Sequence, residues 1–406
     1  MIWTIKKATY RSIQSVVGKV TKLLKIPVPE LLTGPGSVKK LPNVIKNMGI
    51  SKILLVTDKG IRDIGLIEGL LEKLKTENID CTVFDGVQPN PTIQNIEEGL
   101  QVYLANHCEG IIAFGGGSSM DCGKIIGARV SNPKKSVPKM RGNFKIPKKL
   151  PPLFAVPTTA GTGSECTVAA VITDSASHEK YAINSFKNIP LFAALDPELM
   201  QGLPPHITAG TGMDALTHAV EAYIGNIGTA FTDENAEKAV KIIFENLEAV
   251  YQDGSNLEQR DNMALASYYA GLAFTRAMVG YVHAIAHNMG GLYDVPHGLA
   301  NAIILPYVLE YSRSDCEQKL ARLAIVGGLG RDGEPSALLA DRFIEKVKSM
   351  NQNMKIPTAI SELQETDISL IAQRALKEAN PNYPVPTLMN QIQCEALLRQ
   401  LLPSGK

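Results

Sequence analysis

No stretch of the chain approaches the ~18 consecutive apolar residues that an ordinary transmembrane helix needs, so nothing in it is expected to span a bilayer. The six cysteines, Cys81, Cys108, Cys122, Cys166, Cys316 and Cys394, are scattered and form no C-x-x-C pair. That excludes a zinc knuckle and a disulfide frame; small buried thiols in a reducing compartment are the expectation, with Cys166 placed by a Gly-rich turn where it could face a site. Charge of one sign is lacking as well: 41 Lys and Arg stand against 40 Asp and Glu, for a net charge of +1. Such a balance gives no electrostatic reason to expect nucleic acid or a membrane surface as partner. With 406 residues, 45% hydrophobic and 20% charged, the chain is an ordinary globular protein long enough for two or three domains.

Histidine is scarce but concentrated. Of only seven in the chain, His283, His287 and His297 fall between Gly280 and Gly298, and a fourth closes the run Asp214-Ala-Leu-Thr-His218. Asp214 and His218 are i and i+4, as are His283 and His287, so each pair shares one face of a helix. A lone histidine is more often a packing or capping residue. Four of them with a carboxylate in two short blocks point to a divalent transition metal, Fe(II), Zn(II) or Mn(II), because imidazole nitrogens suit these ions and suit calcium or magnesium poorly.

The first 29 residues carry six basic side chains and no acid. Ile13, Val16, Val17, Val20, Leu23 and Leu24 recur at helical spacing, which predicts a short basic amphipathic helix. A mitochondrial transit peptide has a similar pattern but more arginine, and an extra helix docked on the surface is the reading preferred here.

From residue 30 to about 203, short β-branched runs alternate with helical stretches. The predicted strands are 52–57, 81–84, 110–114, 153–157 and 191–195, with helices over 64–75, 93–106 and 119–130. Continuous apolar strands between amphipathic helices predict a mostly parallel sheet covered on both faces. Lys134–Pro152 is read as a solvated loop. After Pro204-Pro205, which can continue neither a helix nor a central strand, the pattern turns helical to the end, over 208–223, 233–250, 262–277 and 282–292. The expected domains are a basic extension (1–29), an α/β domain (30–203) and an all-α domain (204–406).

Two turns in the α/β part have phosphate-handling chemistry. Strand 110–114 runs into Gly115-Gly116-Gly117-Ser118-Ser119-Met120-Asp121 and a helix, where glycine lets backbone N–H groups approach a pyrophosphate at a helix N-terminus. Met120 stands at the third glycine position, so this is not the G-x-G-x-x-G fingerprint. A similar turn, Pro157-Thr158-Thr159-Ala160-Gly161-Thr162-Gly163-Ser164-Glu165, follows strand 153–157; N-capping is its plainer use. Asp58, at the end of the first strand, could accept from a ribose diol and repel a 2′-phosphate, or simply cap the next turn.

Taken together, Gly115–Asp121, Pro157–Glu165, Asp196-Pro-Glu-Leu199, Thr211–Tyr223, His283-Ala-Ile-Ala-His287 and Pro296-His297-Gly298 resemble the iron-dependent (group III) alcohol dehydrogenases, in that family's order. The resemblance implies a Rossmann-like NAD domain followed by an all-α metal-binding domain, a dehydroquinate synthase-like architecture. It carries the metal ligands onto Asp214, His218, His283 and His297, and places His287 near the nicotinamide. Asp58, Asn90, Gly116, Gly117, Ser118, Asp121, Thr158, Thr159, Thr162 and Lys180 fall on cofactor-contacting positions. Two departures stand out: Arg276, where many members have asparagine, and Asn288, where proline is frequent. The basic stretch 1–29 has no counterpart in the usual pattern.

The implied activity is reversible hydride transfer between a primary alcohol or diol and NAD, with Fe(II), or alternatively Zn(II), as Lewis acid and His287 as proton relay. A glycerol or polyol dehydrogenase of the same superfamily is one alternative, and a non-catalytic scaffold with the same fold is another. The expected setting is cytoplasmic, with a small alcohol or aldehyde as partner, no nucleic acid and no membrane, and assembly into a homodimer or larger homo-oligomer.

Overall fold

The computed structural model describes residues 2–175 and 179–403. The chain divides into two compact units, one of residues 26–203 and 254–268, the other of residues 1–25, 204–253 and 269–406.

The first unit is built on a six-stranded parallel sheet. Along the chain come β1 (Glu30–Thr33), α2 (Leu41–Asn47), β2 (Lys52–Asp58), α3 (Lys59–Asp63), α4 (Glu68–Thr76), β3 (Asp80–Val87), α5 (Ile93–Ala105), β4 (Gly110–Gly115) and α6 (Gly117–Ser131), α1 being the N-terminal helix Ile2–Leu23 of the other unit. A short α7 (Val137–Met140) and β5 (Gly142–Asn143) precede β6 (Leu153–Pro157), β7 (Ala169–Asp174), β8 (Glu179–Asn184) and β9 (Phe192–Leu195). The sheet order is β1-β9-β6-β4-β2-β3, and β7 and β8 pair antiparallel in a second sheet with β5.

The central strands are apolar throughout because helices cover both faces, so the side chains of either parity are removed from water. Ile53, Leu55, Ile112, Phe114, Phe154 and Val156 share one core with Leu41 and Ile45 of α2 and Leu70 and Leu74 of α4. On the opposite side α6 packs against β4, with Gly127 against Ile111. The register Gly115↔Pro157 ends β4 and β6 side by side. Lys134–Pro152, expected as plain loop, instead contains α7 and β5, the latter held by β8.

The second unit is helical: α8 (Pro205–Ile224), α9 (Ala230–Gln252), the latter part of α10 (Leu257–Ala277), α11 (Tyr281–Tyr293), α12 (His297–Val326), α13 (Ser336–Asn353), α14 (Ile368–Ala379) and α15 (Gln391–Arg399). Pro205 opens α8 in its first turn, where a missing N–H costs nothing. From Thr208 onward nearly every residue of α8 is buried, polar ones included, so it is a central helix packed on α9 and α12. Burying Asp214, His218 and Glu221 this way requires each to find partners.

The basic N-terminal segment does form a helix, α1, but not with its apolar face inward. Arg11 donates to the carbonyl oxygens of Val385 (2.6 Å) and Pro386, and Gln14 to that of Tyr383 (2.7 Å), so the docked side is polar. Ile13, Val16, Val20, Leu23 and Leu24 face out.

Candidate functional site

Within the helical unit, Asp214 (α8), His283 (α11) and His297 (first residue of α12) place one ligand atom each within 4.8 Å of one another. Asp214 Oδ1 lies 3.8 Å from His283 Nε2 and 3.6 Å from His297 Nε2. His218 stands one turn after Asp214, its Nδ1 4.0 Å from Asp214 Oδ1. Its ring is stacked 4.1 Å from Phe274 and 4.5 Å from His283, beside the three and outside their set. Asp214, His218 and His283 are buried, whereas the His297 side chain is 40% exposed and gives the cluster an open side.

The amide of Asn301 sits at the centre of this set. Its Nδ2 is 2.7 Å from Asp214 Oδ1, 3.1 Å from His297 Nε2 and 3.2 Å from His283 Nε2, while its buried Oδ1 has no hydrogen-bond partner. Three lone pairs aimed at one N–H₂ group outnumber its two protons, and here the amide nitrogen stands in for a cation. One carboxylate oxygen and two imidazole nitrogens so disposed fit a divalent transition metal. Burial first, then the neighbouring imidazoles of His218, His297 and His287, push His283 well below its ordinary value, which keeps the ring in the neutral form that metal binding requires.

Glu221, one turn beyond His218, fixes the tautomer. Its Oε2 accepts from His283 Nδ1 (2.6 Å) and Gly280 N (2.8 Å), and its Oε1 from Val282 N (2.8 Å). With Nδ1 carrying the proton, His283 presents a bare Nε2 to the cluster. Burial raises the Glu221 carboxyl to about 7, opposed by these donors at the N-terminus of α11, where the helix dipole also favours a negative charge.

His287 is on the same face as His283, and its ring stacks 5.3 Å from that of His297. Its Nδ1 lies 2.7 Å from Glu378 Oε1, and Tyr383 Oη donates to the same oxygen over 2.8 Å. Burial alone would raise Glu378, but His287 and Tyr383 leave it below its ordinary value. The departures from the family pattern lie apart from these atoms: Arg276 lies over the Phe231 ring, and Asn288 donates to Ala284 O.

In the α/β unit the two glycine- and threonine-rich turns meet. Thr158 N donates to Gly115 O (3.0 Å), and a Cβ on Gly117 would fall 2.9 Å from Thr162 Cγ2, so only glycine lets them approach so closely. Gly115 adopts φ +144°, a backbone conformation that admits glycine and little else. Asn90, at φ +59°, donates its N–H to Ser118 Oγ (3.3 Å), and Thr92 bridges Thr173, whose partner across β7–β8 is Lys180. Asp58, Asn90, Gly116, Gly117, Ser118, Thr158, Thr159 and Thr162 thus lie at or just past the carboxyl ends of β2, β3, β4 and β6, where nucleotides bind in parallel sheets.

Two candidates have local duties. Asp58 caps α3, accepting from Ile61 N over 3.0 Å. Asp121 accepts from Ser164 Oγ and Val171 N, both at 2.8 Å, and lies 3.7 Å from the buried Lys124 ammonium. Lys124 in turn donates to Ser164 Oγ (2.7 Å), Thr167 Oγ1 (3.0 Å) and Ala169 O (2.8 Å). This pair braces one turn against the other, and the sequence pattern had not marked Lys124. Cys166 is buried against backbone carbonyls, away from any reactive role.

A parallel nucleotide-type sheet, followed by helices that gather a carboxylate and imidazoles, fits an enzyme that uses a dinucleotide and a metal. Residues 29–197 match the iron-containing alcohol dehydrogenase family and residues 208–402 its C-terminal family. The chain belongs to the iron-containing alcohol dehydrogenases. It is similar to the 1,3-propanediol dehydrogenase of Citrobacter freundii, 41% identical over 90% of this chain and 95% of that one. The NAD-dependent methanol dehydrogenase of Bacillus methanolicus is 36% identical over 86% and 92%. A crystal structure of 1,3-propanediol oxidoreductase superposes with TM-score 0.89 at 39% identity, covering 93% of this chain and 99% of the other.

Proposed function

We propose that the protein oxidises small primary alcohols or diols to aldehydes with NAD, reversibly, and that Asp214, His218, His283 and His297 hold the metal. The observation that carries this reading is the convergence of Asp214, His283 and His297 on one point, with His283 pinned by Glu221. When bound, a divalent metal supplies Lewis acidity toward an alcohol oxygen, and the nicotinamide accepts the hydride.

The chain's own groups do the rest. Glu221 holds His283 in the tautomer with an unprotonated Nε2. His287, anchored at Nδ1 by Glu378, takes the hydroxyl proton at Nε2 and returns it in the reverse direction. Tyr383 holds Glu378 in place. In the other unit, the N–H groups at the start of α6 and the threonine hydroxyls bind the pyrophosphate, and Asp58 selects the ribose diol of NAD over a 2′-phosphate. Six free cysteines, most of them buried, fit a reducing, cytoplasmic setting.

The test is reduction of NAD by ethanol, butan-1-ol and propane-1,3-diol, using metal-free protein reloaded anaerobically with Fe(II) or Zn(II). Turnover that appears only on reloading, and with NAD in preference to NADP, supports the reading. Metal-independent turnover, or none with any alcohol or diol, rejects it.

A further inference from the structure

α1 lies wholly outside the two segments that match the family, 29–197 and 208–402. It docks through Arg11, Gln14 and Gly18, the last against Ile227, and turns Ile5, Ile13, Val16, Val20 and Leu23 away from the protein. Val16 is 61% exposed and Leu23 84%. Ile13, Val16, Val20 and Leu23 follow one another at steps of three and four, so they form a continuous stripe along the helix. A helix docked by apolar burial would be oriented the opposite way. The stripe is left for another apolar phase, and the charges say which: Lys6, Lys7, Lys19, Lys22 and Lys25 are all exposed, and residues 1–29 include no acid.

On the docked side of the helix, away from the stripe, lies a cavity of about 290 Å³ lined by Arg11, Gln14, Ser15, Lys19, Lys22 and Asn226, among others, with no carboxylate in its lining among the described residues. Asp233 of α9 lies near enough to Lys22 to offset part of that charge. A second copy of the chain would bring lysines against lysines. An anionic bilayer meets both features, since basic amphipathic helices lie in the interface with their apolar face among the acyl chains.

We propose that α1 docks the folded protein on an anionic lipid surface, with Ile13, Val16, Val20 and Leu23 inserted and the flanking lysines on headgroup phosphates. The helix lies along the surface; among the described residues no helix is long and apolar enough to cross a membrane. No rearrangement of the docked helix is needed, because the inserting face already points outward.

The experiment is flotation of the full chain with vesicles of phosphatidylcholine alone and with vesicles that also contain phosphatidylglycerol. Binding is expected to the anionic vesicles and to fall as salt rises. Lys6 and Lys19 fall on the two edges of the stripe; each lysine near such a surface is worth about fivefold in partition, so Lys6→Ala with Lys19→Ala lowers binding about 25-fold. Val16→Glu with Val20→Glu abolishes it, Val16→Leu with Val20→Leu restores it, and NAD-linked turnover is unchanged in all, since none of these residues belongs to the site. Absence of binding to anionic vesicles, or binding undiminished by the glutamates, overturns the proposal. So does a drop in molar mass in the glutamate variant by light scattering, which would assign the stripe to a second copy of the chain.

Discussion

Replacing Glu221 with glutamine tests whether the buried carboxylate sets the metal-binding form of His283. The side chain is 2% exposed, and its two oxygens accept three donors: Gly280 N and His283 Nδ1 at Oε2, Val282 N at Oε1. Glutamine matches the shape but has only one acceptor oxygen. If that oxygen takes the place of Oε2, its NH₂ group faces Val282 N–H, leaving two buried donors unmatched at a cost of about 1–3 kcal/mol. If it is turned round, the NH₂ meets Gly280 N–H and the imidazole proton moves to Nε2, which blocks the ligand atom. Either way the anion that makes the imidazole more basic is gone. Loss of such an outer partner weakens metal affinity by about 10–100-fold, or roughly 1.4–2.7 kcal/mol. The assay is competition for Fe(II) or Zn(II) against a chelator of known affinity, with thermal unfolding of the metal-free protein measured alongside. The two readouts separate a fold defect from a ligand defect, since metal-free stability reports only the unmatched donors. Affinity within twofold of wild type, with metal-free stability also unchanged, would refute the assignment of Glu221 as the residue that orients His283.

His283→Ala or His297→Ala is expected to lower metal content and abolish turnover; full occupancy by metal analysis in both would remove them from the site. His287→Ala is expected to keep metal and NAD but lose about 10²–10⁴-fold in kcat, the usual worth of a positioned acid or base. Glu378→Gln should lose less, and a His287 variant purified without metal would make that histidine a ligand instead. Asp58→Gly is expected to improve use of NADP at little cost in stability, since glycine is a tolerated N-cap; a wild-type preference for NADP in steady-state kinetics would contradict it. Glu165 is buried, and burial raises its carboxyl from 4.5 to about 7. Its folded value lies above its unfolded one, so its share of stability is full below about pH 4.5 and lost as pH rises through about 7. That share amounts to about 3 kcal/mol, and Glu165→Gln should flatten the corresponding slope in urea unfolding of the metal-free protein.

The sheet was readable because its central strands, 110–114 and 153–157 above all, are apolar without interruption, which only a strand covered on both faces can afford. β1 and the β7–β8 hairpin were not expected as strands. Glu30–Thr33 is a short edge with one half-exposed face, and Ala169–Asp174, although it alternates in burial, has apolar residues on both faces (Ala169 and Val171, Ala170 and Ile172), so its sequence shows no period of two. α1 was foreseen as a helix, but its orientation was not. A pattern of apolar spacing says that a face exists, whereas the partners of Arg11 and Gln14 lie some 370 residues away in sequence and decide which way it turns.

The same distinction runs through the site. Asp214, His218, His283, His287 and His297 are conspicuous because histidine is rare here, seven in the chain, and four of the seven fall in two short blocks. Glu221, Asn301 and Glu378 are ordinary residue types on ordinary helices, and each acquires a role only through a partner on another element. Glu221 could have been suspected, being one turn past His218 on a helix whose other faces are apolar: a carboxylate there must be paired if it is to be buried. Asn301 is i+4 from His297 and therefore on its face, a signal of the same kind as the one that picked out His287 from His283. Glu378 carries no such mark. Its contact with His287 spans 91 residues and depends on how α14 packs on α11. In this protein local spacing picks out the histidines and the aspartate that come together in the helical unit. What Glu221 and Glu378 bond to, His283 and His287, follows only from the packing of whole helices.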